Sequence, residues 1–361
     1  MGAVIGIDFG TTSSKIAYMQ NGIVMPVINK AFATEITPSV VGINPHMQEL
    51  KVGPMAERLT ASAISDIKRR MGEPGKIKLG ERDYSPEEVA SFIFKYLKTY
   101  GEDYLDDRIE EAVIAVPSYF GAAARTAVQN AAEMAGIKVL KIIKEPVAIA
   151  LSFSYGKNFF NRSLFVYDFG GGNFNASVVR FEKNSIDLLA FEEIKYLGGE
   201  IYDQRIIRFI KEYLIDQHGI DTFDDTLEQK IKSEAKKAKE ALSAVEGNEI
   251  SIKFPVLYNQ KLINVNIQLA KATLDSITED LINETISAMD WIFKSGRVAK
   301  ESIEGVIMAG GASQTPAVKN MLTEYFGFPP YTGVEPELAV SFGAAIQAGI
   351  IKGAANSVLW I

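Results

Sequence analysis

The chain has 361 residues, 47% of them hydrophobic, which is more than one core of ordinary size accommodates, so two domains are expected. A formal net charge of -7 gives no bulk electrostatic support for a nucleic-acid partner, and the lack of cysteine removes disulfides, cysteine–zinc sites and thiol nucleophiles. His46 and His218 are the only histidines and lie far apart, which leaves no basis for a histidine triad or a multi-histidine metal site. No stretch approaches the ~18 uninterrupted apolar residues of a membrane span and no signal peptide is read at the start, so the expectation is a cytoplasmic-type protein without a membrane partner.

In chain order, residues 3–7 (AVIGI) form a short apolar strand ending at Asp8, followed by a small-residue turn and a second strand-like stretch. Ser85-Pro86-Glu87-Glu88 is a helix start, with Ser85 as N-cap, Pro86 at the first helical position and Glu88 placed to close a capping box. Val89, Phe92, Ile93, Tyr96, Leu97 and Tyr100 follow at helical spacing as one core-facing stripe. Residues 112–116 (AVIAV) are a buried strand stopped by Pro117, 121–135 an alanine-rich helix closed by Gly136, and 139–143 (VLKII) a strand that runs into Glu145-Pro146 and another helix. Strands alternating with helices imply an α/β sheet with mixed strand directions. Residues 166–175 (VYDFGGGNFN) repeat the strand, Asp-Phe-Gly and small-residue turn of the N-terminus. Residues 227–246 are a charged helix, most of whose lysines are expected on a solvated face. In 305–313 (GVIMAGGAS) a buried strand ends at Gly310-Gly311, where a tight turn or a flat ring lying on bare backbone would each suit two glycines. The final SVLWI is read as a closing strand or the stub of a linker.

The repeat sets Asp8 against Asp168, Gly10 against Gly170, and Thr11-Thr12 against Gly171-Gly172, at a spacing of about 160 residues. That spacing is far longer than a solenoid unit, so the reading is a duplicated domain with one strand–turn–strand per copy. Turns of small residues expose backbone N–H groups that suit phosphate. An aspartate beside a phosphate repels it unless a cation lies between, and magnesium, with its preference for oxygen and retained water, fits Asp8 and Asp168 as ligands through hydration water. Two facing hairpins would then clamp a metal-bound polyphosphate in a cleft. A P-loop, a protein-kinase catalytic loop and a dinucleotide fingerprint are all missing.

The stretches IGIDFGTTSSKIA, DIKRRMG, AVPSYFGAAARTAVQNAAEMAG, IIKEPVAIAL, VYDFGGGNF, LGGEIYDQ, AGGASQTPAV and PELAVSFGAAIQAG, in this order over nearly the whole chain, resemble the nucleotide-binding domain of DnaK-type heat-shock chaperones. The resemblance implies an α/β actin-like ATPase fold of duplicated lobes. The first lobe would span 1–157 with 36–85 as its outer subdomain, and the second 158–331 with 198–274 as its outer subdomain. Residues 332–356 would return to the first lobe and 357–361 would begin an interdomain linker. It also implies slow hydrolysis of ATP to ADP with magnesium and potassium, nucleotide state being passed to a peptide-binding domain that the linker would lead to. A J-domain co-chaperone and a nucleotide-exchange factor on 198–274 are the implied partners.

Residue by residue, the resemblance assigns Gly10, Thr11 and Thr12 to the first phosphate hairpin and Gly170, Gly171, Gly172 and Asn173 to the second. Lys68 would reach the γ-phosphate and position the attacking water, Glu145 would orient that water or the metal shell, and Asp8 and Asp168 would hold the hydrated metal, the implied catalytic set being Lys68, Glu145, Asp168 and Thr11. Lys239 and Ser243, together with Gly310, Gly311 and Ser313, would face the ribose and adenine; Gly198, Gly199, Lys236, Glu240, Ala312 and Glu337 would also bind nucleotide, and Pro117 and Arg125 would sit in a switch between cleft and linker. Without the family pattern, Lys68 reads as a surface lysine in Lys68-Arg69-Arg70. The chain departs from the family at several of these places. Asn173 and Asn175 stand for a threonine and an aspartate, and an amide cannot take a proton, a loss worth about a hundredfold in rate. Lys144 replaces a small amide beside Glu145, Lys236 stands where an acid often meets the adenine edge, Gln314 replaces an arginine at the purine site, and Leu338 an acid. The expected protein is thus a weak ATPase. The competing readings are a silent nucleotide-binding regulator, a sugar or small-acid kinase of the same fold, for which no acceptor base is found, and an actin-like filament protein.

Overall fold

The computed structural model describes residues 2–44, 47–59, 63–183, 185–244 and 247–354. His46 and the final SVLWI lie outside the described residues.

The apolar run after the N-terminus becomes β1 (Ala3–Asp8), which folds back through a turn into β2 (Ser13–Gln20) and then β3 (Ile23–Pro26). A short strand, β4 (Thr37–Pro38), pairs with β2. Small elements follow: β5 (Val41–Ile43), β6 (Leu50–Val52), α1 (Pro54–Glu57), β7 (Ala63–Ile64), a 3-10 turn at Ile67–Arg70, and the ribbon β8 (Ile77–Leu79) with β9 (Arg82–Tyr84). Helix α2 (Pro86–Leu105) starts on the expected capping box: Ser85 Oγ accepts from the Glu88 amide at 3.2 Å, and the Ser85 amide donates to the Glu88 carboxylate at 2.6 Å. Its stripe faces inward, with Val89, Ile93 and Leu97 fully buried. The strand expected at 112–116 begins earlier, as β10 (Ile109–Val116), because parallel pairing with β1 already starts at Ile109. Then come α3 (Ala122–Met134), β11 (Lys138–Lys144) and the wholly buried α4 (Glu145–Ser154).

The second half opens with β12 (Ser163–Phe169), β13 (Asn173–Phe181) and β14 (Ile186–Lys195). After these the chain builds α5 (Gly199–His218), α6 (Asp225–Ala244), the hairpin β15 (Glu249–Tyr258) and β16 (Lys261–Ala270), α7 (Lys271–Lys294), β17 (Ile303–Ala309), α8 (Pro316–Phe326) and α9 (Ala339–Ile351). The charged helix is α6, whose Glu234 pairs with Lys230 and Lys237 one turn away on either side, as a solvated face requires.

The duplication extends beyond the two hairpins. The first sheet runs β11-β10-β1-β2-β3 and the second β14-β13-β12-β17. In each, the strand that ends in Asp-Phe-Gly is parallel to one neighbour (β10 or β17) and antiparallel to the other (β2 or β13). The register matches too: Asp8 lies opposite Lys15, and Asp168 opposite Asn175. Helices α4 and α9 pack against each other between the sheets, α9 lying on β1 and β2 and α4 on strands of both sheets. Both helices are apolar nearly all round, as a helix enclosed between two sheets must be. This is the mixed α/β, actin-like architecture.

Candidate functional site

Because β1 and β12 sit at equivalent places in two sheets joined through α4 and α9, their turns come face to face. A Cβ on Gly171 would lie 2.5 Å from the Thr12 hydroxyl. The turns are held from behind. The Ser39 amide and hydroxyl donate to the carbonyls of Thr12 and Gly10, each at 2.9 Å. The amides of Gly199 and Glu200 at the start of α5 donate to the carbonyls of Gly170 at 2.9 Å and Gly171 at 2.8 Å. Arg69 crosses between the halves: its Nη2 donates to the Gly172 carbonyl and to Asn173 Oδ1, both at 2.9 Å, and its guanidinium lies 4.2 Å from the Tyr196 ring centroid. Asn173 also accepts from the Tyr196 amide at 3.3 Å and donates to Glu193 at 2.7 Å.

The turns enclose a cavity of about 90 Å³, room for several waters, lined by Asp8, Glu145, Asp168, Glu193 and Glu337 against Lys15 and Lys68. The Lys68 ammonium meets Glu145 at 2.5 Å, both buried, and Lys15 meets Asp8 at 3.2 Å. Burial opposes the Lys68 charge, but Glu145, Asp8 and Asp168 together hold its pKa above the ordinary value. Glu145 is pushed up chiefly by burial, against the pull of Lys68. Asp168 is raised to about 7 by burial, then by repulsion from Glu145 and Asp8. Glu193 is raised to about 7 by burial, then by Glu145. The excess of acids over ammonium groups fits a cation, while no group of three or more acids or histidines among the described residues is placed to grip one directly. That donor set suits a hydrated divalent ion, held through its water.

A family model described as Hsp70 protein matches residues 4–360. The chain is 36% identical over 355 residues to the chaperone protein DnaK of Thermosipho africanus, covering 97% of this chain and 59% of that protein. It is 35% identical over 356 residues to the DnaK of Thermotoga maritima, covering 97% and 60% respectively. The chain belongs to the Hsp70 family. It spans about 60% of the length of the curated relatives it matches.

Within this Hsp70-family chain, the cavity brings together Asp8, Gly10, Thr11, Thr12, Lys68, Pro117, Glu145, Asp168, Gly170, Gly171, Gly172, Asn173, Asn175, Gly310 and Glu337. Lys68, a surface lysine by local pattern alone, is only 5% exposed. Gly199, Lys239 and Ala312 converge beside the cavity, where a Cβ on Gly199 would lie 3.1 Å from the Lys239 ammonium and 3.8 Å from the Ala312 Cβ. Lys239 itself pairs with Asp203 at 2.7 Å, and Ser243 bonds the Lys239 carbonyl one turn on. Gly198 backs onto the carbonyl of Gly171, and Gly311 onto the Glu337 carboxylate. Ser313 is buried and donates to the Gly310 carbonyl at 2.7 Å. Lys236 and Glu240 are exposed on α6, Arg125 is exposed on α3, and Lys144 does not line the cavity. Gln314 donates to Glu335 at 3.0 Å, and Leu338 is buried at the start of α9. Sequence reasoning missed Lys15, Arg69 and Glu193. The pairing of Asp8 with Asp168 did contain a signal for Lys15, since the same alignment sets it against Asn175.

Proposed function

We propose that this chain binds ATP and ADP across the two hairpins and hydrolyses ATP slowly, as the nucleotide-binding part of an Hsp70 chaperone. The observation that carries the reading is the pair of facing small-residue turns around a cavity with surplus carboxylates and a buried lysine. Gly10, Thr11 and Thr12 on one side, and Gly170, Gly171, Gly172 and Asn173 on the other, would contact the phosphates. Asp8 and Asp168 would hold magnesium through water, and the ion, when bound, neutralises charge on the β- and γ-phosphates. Lys68, fixed by Glu145, would face the γ-phosphate; phosphoryl transfer needs chiefly such positioning and charge neutralisation. Gly198, Gly199, Lys239, Ser243, Gly310, Gly311, Ala312, Ser313 and Glu337 would border the ribose and base, with Lys236 and Glu240 at the outer rim. Potassium is a second proposed ion.

We further assign lobe boundaries at 1–157 and 158–331, outer subdomains at 36–85 and 198–274, a return to the first lobe at 332–356 and linker from 357. A J-domain co-chaperone, a nucleotide-exchange factor on 198–274 and a peptide-binding domain are the proposed partners, in the cytoplasm. Among the described residues no helix is long and apolar enough to cross a membrane. The test is titration calorimetry with ATP and ADP, with and without magnesium. Magnesium-dependent binding of both is expected; no heat and no thermal shift with either nucleotide would end the reading.

A further inference from the structure

Three adjacent strands set three side chains in a row. On β12, β13 and β14 the register places Asp168 opposite Asn175 and Asn175 opposite Glu193, and all three line the cavity. Direct cross-strand partners stand about 5 Å apart, so the row carries a carboxylate one strand beyond the amide, on the same face. Glutamate is one methylene longer than aspartate, and the Glu193 side chain lines the same cavity as Asp168 and Asn175. Asn173 fixes it there through the 2.7 Å bond from Nδ2 to Oε1, while Arg69 and the Tyr196 amide hold Asn173 by its oxygen.

Of the other acids of the cavity, Glu337 lies against Gly311 and the remaining three are engaged. Glu145 is held by Lys68 and Asp8 by Lys15, and Asp168 belongs to the proposed cation. Glu193 makes no ion pair among the described residues and accepts the one hydrogen bond from Asn173, which leaves it capacity for a water. The charged groups that act on it are Glu145, Lys195 and Lys68, and Tyr119 is near enough to feel its charge. A group that gains and loses its proton near neutrality suits proton transfer at working pH.

We propose that Glu193 is the carboxylate that orients the attacking water and accepts its proton, doing from β14 what Asn175 cannot do from β13. The inference rests on the ATP reading above. In the step, the water oxygen forms a bond to the γ-phosphorus as the bond to the β–γ bridging oxygen breaks, and that oxygen leaves with its electron pair on ADP. The water proton passes to Glu193 and from there to solvent.

The test compares the 361-residue chain with Glu193→Gln, Asn175→Asp and the double substitution, measuring Mg-ATP affinity by calorimetry and single-turnover phosphate release. Glu193→Gln keeps the acceptor for Asn173, so affinity is expected to stay within about twofold while release slows about a hundredfold. The double substitution is expected to regain most of the rate, because a carboxylate returns one strand over. Asn175→Asp alone is expected to stay within about threefold of the parent, since its place is already served; an increase of about tenfold or more overturns the inference even if Glu193→Gln fails to fold. An unchanged rate in Glu193→Gln, or a loss that the double substitution does not regain, also overturns it. A parent that binds Mg-ATP and releases no phosphate overturns the inference but leaves nucleotide binding standing, whereas a parent that binds no nucleotide overturns the function itself.

Discussion

Asn173 holds three groups that would otherwise compete with water: the Arg69 guanidinium, the Tyr196 amide and the Glu193 carboxylate. Tyr196 sits at φ 65°, a left-handed conformation that a tyrosine keeps only when its surroundings hold it. Asn173→Ala removes that hold and is expected to lower unfolding free energy by about 1–2 kcal/mol, read from urea denaturation. Lys68 and Glu145 pose a harsher case, since removing one partner of a buried pair strands the other charge. Lys68→Met is expected to cost about 3–5 kcal/mol when Glu145 stays ionised, and less at pH 5 than at pH 8, because the stranded carboxyl then takes a proton. Protons also couple to the stability of the parent. Asp168 and Glu193 hold theirs to about 7 in the fold, against ordinary values of 3.8 and 4.5. Between pH 4 and about 7 these two carboxyls therefore bind more protons in the fold than in the unfolded chain, and their contribution to stability falls as pH rises through that window. A nucleotide-free melting temperature that is higher at pH 7.5 than at pH 5.5, with Glu193→Gln showing no flatter a slope than the parent, would contradict this assignment.

At the scale of elements, what the sequence revealed is what local chemistry dictates. Ser85 and Glu88 announced the start of α2 because a capping box is closed by residues three apart, and Ser85→Ala is expected to cost about 1 kcal/mol. Asp8 and Asp168 could be paired because the strand, turn and strand around each are contiguous. Gly310-Gly311 was ambiguous, and the structure gives Gly310 a strict role. It adopts φ 79° and lies so close to the backbone of Phe169 and Gly170 that no Cβ fits, which sets the end of β17 against the second hairpin. Gly310→Ala meets both strain and backbone collision, and is expected to cost about 2–3 kcal/mol and weaken ADP binding in the same calorimetric titration. Glu193 escaped notice for the opposite reason. Its strand was not marked by a motif, and only the β13–β14 register, set by a whole antiparallel ladder with a bulge at Val178/Val179, turns it onto the face of Asp168.

For the molecule as a whole, the question is what keeps two halves closed over the cavity. Helices α4 and α9 join them at the base, and across the mouth the described side-chain bonds are few: Thr12 to Glu200 at 3.3 Å, and Arg69 to Gly172 and Asn173. Arg69 was visible in the sequence only as the middle of Lys68-Arg69-Arg70, because its partners lie more than 100 residues away in the other half. Its guanidinium reaches two acceptors at once, pairs with Asp66 at 3.0 Å and stacks on Tyr196, a combination that a lysine ammonium cannot reproduce. A latch of this kind acts on opening, so its loss belongs in the dissociation rate and hardly at all in association. Arg69→Ala removes charge-assisted bonds worth about 1.5–3 kcal/mol and is expected to speed ADP release at least about tenfold, with Arg69→Lys intermediate. Stopped-flow chase of a fluorescent ADP reads this directly. If release is unchanged in Arg69→Ala, the mouth is held by the packing of α4 and α9 and the Thr12–Glu200 bond, and the Arg69 bridge is a bystander.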